Sequence, residues 1–535
     1  MLGALWLLFS MGTAGASPIV VPISGAGSTW VSNALDQWIR NIAQNGIQVN
    51  FAATGSSDGR NEFRNGTVDF GATEIPYGLH DAFTGSDPLP ARHFAYVPDV
   101  AGGTTFMYNL HFGGHEIRNL RLDGNTLAKI FTGVITQWND PAIERDNPNL
   151  QLPAERIVPV VRSDGSGTTA QFTLWMTHME PAVWNAYCAR FGISAPCGLT
   201  SVYPVVPGSD MIALSGSLGV SGYVAQSTSE GAITYVEYSY AIETGFPAVA
   251  LENSAGYYTL PTANNVAVSL LKAQINDDPS SPGYLTQNLS NVYNDPDPRT
   301  YEMSSYSYLI IPTAIEDGFS TDKGYTLGKF VYYALCQGQQ EAPILGYSPL
   351  PINLAEAGFA QVRKIPGVDV ESINIQDCDN PTFSPSGKNT LALDAPYPPA
   401  CAKAGSTQCT AIEMVATGTT GPTTGNKGTG SKGTGSKGTG SKGTGGPSGT
   451  GKGSKGDGSK STGTGPGGST STGTTLPGST GTSVTTVPVI AQSVIVGSDL
   501  GAGDLPYGLG SLVLLGAVVV GPPLLSRALR RRGRR

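Results

Sequence analysis

The chain has 535 residues, with 32 Lys and Arg against 40 Asp and Glu and a formal net charge of −8. Residues 418–535 carry seven Lys, six Arg and three Asp, a net +10, which leaves −18 for the residues before them. So acidic a region has no basic face with which to neutralise successive phosphates, which excludes nucleic acid as a partner, and any anion it holds must be held by local dipoles against the overall field.

From the start of the chain, residues 1–16 are an apolar run closing on Ala14-Gly15-Ala16, a small-x-small pattern that reads as a signal peptide, although no Lys or Arg precedes it. Residues 19–365 alternate short apolar runs with amphipathic stretches, the pattern of α/β layers. Residues 19–23 (IVVPI) predict a strand. Residues 25–29 (GAGST) then predict a turn into a helix whose Trp30, Leu35, Trp38, Ile39 and Ile42 share one face. The unit recurs as a strand at 47–51, a GSSDG turn at 55–59 and a helix through Phe63. It recurs again as a strand at 157–161, the turn RSDGSGTT at 162–169 and a helix from Ala170 through Trp175.

Each turn would open a helix, and a helix N-terminus offers unpaired N–H groups at the positive end of a dipole. Glycine there lets a ligand reach the backbone, and Ser or Thr adds a hydroxyl, so three converging starts would form an anion site. The plainer alternative is that each Ser or Thr only caps its own helix. Residues 55–59 also match Gly-x-Ser-x-Gly, the pattern of a hydrolase nucleophile elbow at Ser57. That reading needs a downstream histidine, and all five (His80, His93, His111, His115, His178) lie before residue 180 without a triad context. His111 and His115 flank Gly113-Gly114 rather than sharing a helix, so no metal site is expected.

Six segments in order, GAGSTW, GSSDG, VDFGATE (68–74), TLAKIFTG (126–133) with Trp138, RSDGSGT and AITYVEYSYA (232–241), resemble the PstS family of phosphate-binding proteins over residues 19–360. The resemblance implies an α/β type II periplasmic-binding fold, two lobes joined by a two-strand hinge with phosphate in the cleft. Lobe 1 is expected at about 19–107 and 236–365, and lobe 2 at about 108–235. Carried over by motif, the phosphate ligands are Thr29, the backbone at Trp30, Ser56, Arg162, Asp164, Ser166, Gly167 and Thr168. Arg162 supplies a forked charged donor that Asp164 would hold in place. Where the family usually has an aspartate that accepts the proton of phosphate, this chain has Glu74, one methylene longer; the nearby Asp69 is expected to be structural.

Six cysteines (Cys188, Cys197, Cys336, Cys378, Cys401, Cys409) all precede the low-complexity region, an even count that points to disulfides in an oxidising compartment. Cys188–Cys197, Cys336–Cys378 and Cys401–Cys409 are the pairs expected among fifteen connectivities. Residues 366–417 form a Cys- and Pro-containing extension without a counterpart in the family. Residues 418–486 are a Gly/Ser/Thr/Lys tether, disordered and about 45 Å from end to end as a flexible coil. The uncharged residues 505–526 predict a transmembrane helix of about 33 Å, and the basic tail 527–535 places it with its end in the cytoplasm.

Together these features predict a phosphate-binding protein on the outer face of the plasma membrane, anchored by its C-terminal helix. It would capture inorganic phosphate for the permease subunits of an ABC transporter, with no cofactor, metal or catalysis. The alternatives are a surface receptor or adhesin uncoupled from transport, and a serine hydrolase at Ser57.

Overall fold

Eight strands build the main sheet: β1 Ile23–Gly27, β2 Val49–Ala52, β3 Phe70–Thr73, β4 Phe94–Tyr108, β5 Val158–Arg162, β6 Ile212–Leu214, β7 Ala232–Glu237 and β8 Ser304–Pro312. Their spatial order is β6-β5-β7-β4-β8-β3-β1-β2. The computed structural model describes residues 19–384 and 387–410. The expected signal peptide, tether, transmembrane helix and basic tail lie outside the described residues, among which no helix is long and apolar enough to cross a membrane.

The 15-residue β4 belongs to both halves of the sheet. Residues 94–103 run antiparallel to β8, from Phe94 opposite Pro312 to Gly103 opposite Ser304. Its last residues pair instead with β7, Thr104 opposite Glu237 and Tyr108 opposite Ile233. At one end of the sheet β1 runs parallel to β2 and β3, and at the other β5 runs parallel to β6 and β7. This α/β arrangement, two parallel-sheet halves sharing a long strand, is that of type II periplasmic-binding proteins. β8 runs antiparallel to both β4 and β3, and as central strands β3 and β8 are buried at every position.

Four helices follow strand ends: α1 Ser32–Ala43, α2 Ser56–Arg64, α3 Gly167–Met179 and α4 Gly216–Val224. The first strand is displaced from its predicted position. The apolar run at 19–23 mostly precedes the sheet, with Ile19 61% and Val20 44% exposed, and the strand is the glycine segment itself. Packing explains this, because a Cβ on Gly25 would stand 2.2 Å from Phe70 Cζ and one on Gly59 of α2 2.3 Å from Gly27 Cα. Glycine lets α2 and β3 close on β1 where any side chain would hold them apart. Likewise GSSDG is not a turn; α2 starts inside it at Ser56.

Beneath α3, Phe172 meets Phe131 and Tyr235 at 5.2 Å and Phe106 at 5.3 Å between ring centres. Burying such a ring contributes about 2–3 kcal/mol, so this cluster fixes α3 and the Tyr235 hydroxyl above it. The structure joins Cys188–Cys197, Cys336–Cys378 and Cys401–Cys409, the three expected pairs. Closing the 42-residue Cys336–Cys378 loop removes roughly 4 kcal/mol of unfolded-chain entropy. The described part of the extension lies against the α/β unit, where Arg299 Nη1 donates to Ala392 O and Ala395 O, Arg121 Nη1 to Cys401 O and Asn119 Nδ2 to Cys409 O.

Candidate functional site

Strands β1, β2, β5 and β6 each run into a polar segment that opens a helix at the carboxyl edge of its half of the sheet, where ligands of open α/β sheets bind. The segments come together across the two halves. Ser56 Oγ, at the start of α2, accepts from Gly167 N of α3 at 3.0 Å. Thr29 Oγ1, between β1 and α1, shares a 2.8 Å hydrogen bond with Ser217 Oγ of α4 and accepts from Ser217 N at 3.2 Å.

Arg162, at the end of β5, is 1% exposed. Its Nε donates to Asp164 Oδ1 at 2.7 Å and its Nη2 to Asp164 Oδ2, a fork on a carboxylate. Nη1 makes only a long 3.4 Å bond to Ser217 Oγ. Gly216 N also donates to Asp164 Oδ1 at 2.9 Å, and Tyr235 Oη accepts from Arg162 N at 3.1 Å and shares a 2.8 Å bond with Thr169 Oγ1. Backbone and head group of Arg162 are thus both held.

Glu74 follows β3 and is 1% exposed. Ser56 Oγ donates to its Oε2 at 2.6 Å and Ser28 Oγ to its Oε1, while Ser307 Oγ is 3.4 Å from Oε1. Burial pushes the Glu74 carboxyl above the usual glutamate range, against the opposing pull of the Ser28 and Ser56 hydroxyls and Arg162. Burial alone would also raise Asp164, but the hydrogen bonds and charge of Arg162 outweigh it and hold that carboxyl below its ordinary value. A Cβ on Gly167 would stand 1.9 Å from Glu74 Oε2, so only glycine brings the α3 backbone this close to the carboxylate.

The predicted residues therefore gather in two neighbouring hydrogen-bond clusters, one around Glu74 and one around Arg162, with individual differences. Ser166 caps its own helix, its Oγ accepting from Thr169 N at 3.2 Å. Trp30 N donates to Ser28 Oγ at 3.0 Å and its ring is buried against Tyr347. Thr168 Oγ1 is buried without a hydrogen-bond partner. Asp69 stands apart, accepting from Ser24 N at 2.9 Å and pairing with Lys323 at 2.8 Å. Sequence reasoning missed Ser28, Ser217 and the start of α4, although Ser215-Gly216-Ser217 after a short apolar run repeats the same strand-to-helix signal.

Ser57 Oγ accepts from Arg60 Nη2 at 3.3 Å, and Ser57 N donates to Gly165 O; no histidine takes part. His93 pairs with Glu316 and His111 with Glu230, on the surface. Among the described residues no group of three or more His, Cys, Asp or Glu is placed to hold a metal. A surface cavity of about 680 Å³, lined by Tyr325, Lys329, Tyr333 and Glu371 among others, shares no residue with either cluster. The two clusters together can surround a small oxyanion with hydroxyl, amide and guanidinium donors and oppose it with one carboxylate.

A PBP superfamily domain model matches residues 12–337. A protein of Xylella fastidiosa named phosphate-binding protein PstS is 31% identical over 337 residues, 63% of this chain and 83% of the relative. Its namesake from Methanocaldococcus jannaschii is 29% identical over 360 residues, 65% of this chain and 87% of the relative. A crystal structure of a phosphate binding protein from Stenotrophomonas maltophilia covers 69% of this chain and 99% of its own, with TM-score 0.47 and 17% identity.

Proposed function

The chain belongs to the PBP superfamily and, within it, to the PstS family, and on that premise we propose that it captures inorganic phosphate at the cell surface for an ABC importer. The observation that carries the reading is the buried Arg162, clamped by Asp164 with Nη1 free for a better acceptor, beside the hydroxyls of Thr29, Ser56 and Thr168 and the N–H of Gly167. Arg162 and these donors hold the phosphate oxygens, and Glu74 accepts the remaining proton. Ser166 and the Trp30 backbone complete the site by shaping the starts of α3 and α1. The Ser57 hydroxyl accepts from Arg60 and its N–H donates to Gly165 O, contacts that tie the start of α2 to the segment before α3 and fit a wall of a binding site. Calorimetry on the purified chain, stripped of anion by partial denaturation and refolding, should show one tight phosphate site and far weaker sulfate binding. No heat with phosphate would end this reading.

We propose further that residues 505–526 anchor the protein from outside and that the Gly/Ser/Thr/Lys segment 418–486 keeps the binding unit near its permease, which raises its effective concentration there. Protease added to intact cells is expected to release a phosphate-binding fragment lacking residues after the tether. Full-length protein recovered from the medium of untreated cells would contradict the anchor.

A further inference from the structure

Between β3 and β4 a short hairpin, His80–Asp81 against Gly85–Ser86, reaches the half of the sheet that carries Arg162. Asp81, 6% exposed, is its contact residue. One carboxylate oxygen serves its own turn, Oδ1 accepting from Phe83 N at 2.9 Å and Thr84 N at 3.0 Å. The other crosses over, Oδ2 accepting from Ser201 N at 2.6 Å and Ser201 Oγ at 2.8 Å. Ala82 N adds a bond to Leu199 O at 2.8 Å.

Both sides of this contact are tied to the anion site. The hairpin is bound to α2 through Asp87, which accepts from Arg60 Nε at 2.6 Å and from Arg64 Nη2, while Gly78 N donates to Asp87 O. The Ser201 segment is bound to α3, since Thr200 N donates to Thr173 Oγ1 at 2.9 Å and Ser166 N to Ser201 O at 2.8 Å. Ile75 and Leu79 on one side pack with Ala170, Leu174 and Leu199 on the other, shielding the contact. Moving α2 away from α3, and so Ser56 from Gly167, requires breaking the Asp81–Ser201 pair.

We propose that Asp81 is a latch: a positioning residue that touches no ligand but holds the α2 and α3 walls of the site together and so sets how long the bound anion stays. The inference rests on the anion-binding reading above. Because the contact forms only when the walls meet, it slows escape and leaves entry alone. A charged acceptor with two donors from across the cleft is the kind of hydrogen bond whose loss is measurable.

The test is stopped-flow phosphate kinetics on full-length wild type, Asp81→Ala and Asp81→Asn. Asparagine can keep the turn through its carbonyl while presenting its amide to Ser201 N–H, so it breaks the latch with less risk to folding. Both variants should release phosphate ~10-fold faster or more, with association within about twofold of wild type and an unchanged phosphate-to-sulfate ratio. An unchanged release rate in both would overturn the proposal. A second readout needs no anion: the distance between nitroxides attached at Thr67→Cys and Ala186→Cys, both exposed positions on opposite sides of the contact. It should lengthen and broaden in Asp81→Asn; identical distributions overturn the latch even if the chain binds some other anion. Absence of phosphate binding by wild type, with the distance shift present, would reject the phosphate reading and keep the latch.

Discussion

Arg162→Ala is expected to weaken phosphate binding by about 4 kcal/mol, close to a thousandfold in Kd. Two losses add. The variant removes the one cation in the two clusters, whose charge-assisted bonds are each about twice as strong as neutral ones. It also strands Asp164, which keeps only the Gly216 N–H at 2.9 Å among the partners described above and would then face the anion as a bare, partly buried carboxylate. Removing one member of a buried, hydrogen-bonded charge pair costs about 2–5 kcal/mol, much of it from the charge left behind. Arg162→Lys separates the two contributions. It keeps the positive charge but cannot fork onto both oxygens of Asp164, and its loss should fall near 2 kcal/mol. Titration calorimetry reads both. An Arg162→Ala protein within threefold of wild type would place the phosphate elsewhere.

Glu74→Gln should shift the phosphate-to-sulfate preference by about 3 kcal/mol, over a hundredfold, toward sulfate. Phosphate near neutral pH keeps a proton that a carboxylate can accept; sulfate has none. An ionised Glu74 facing an unprotonated sulfate oxygen loses that bond and adds repulsion, whereas every other group proposed for the site, apart from Asp164 already spent on Arg162, donates. The amide of glutamine both donates and accepts without charge, so it no longer discriminates. Competition calorimetry with the two anions measures the ratio. If Asp69→Asn moves it and Glu74→Gln does not, the acceptor has been misplaced; the ion pair of Asp69 with Lys323 makes that outcome unexpected.

The same substitution has a stability signature with a definite sign. Burial raises the Glu74 pKa in the folded chain, so the fold favours the protonated carboxyl. Its contribution is then fully present below the unfolded value of 4.5 and is lost as pH rises through the raised folded value. Glutamine never ionises and escapes that loss. Without anion, Glu74→Gln should melt higher than wild type at neutral pH, the gap closing as the solution is acidified below the ordinary glutamate range.

The one-methylene difference from the family's aspartate shows where sequence reading stops. Glutamate in place of aspartate is visible in the letters, but its contacts are not. In the fold Glu74 reaches both Ser28 and Ser56, because β3 and α2 close on β1 so tightly that glycine is needed at positions 25 and 59. The run at 19–23 misled for a related reason: hydrophobicity marks burial, yet glycine is what a strand uses where two neighbours crowd it.

By itself the sequence determined the α/β class, the strand-to-helix grammar at Ser56 and at 162–169, and the identity of Arg162 and Asp164 as partners. These are local matters, set by side-chain periodicity, by glycine and serine at helix starts, and by two charges two residues apart. The tertiary structure alone decided which distant starts meet: Thr29 with Ser217, Ser56 with Gly167, Asp81 with Ser201. Those pairs are 188, 111 and 120 residues apart. Nothing local encodes such contacts; they follow from a long strand shared by both halves of the sheet and from the packing that aims each polar edge at the other.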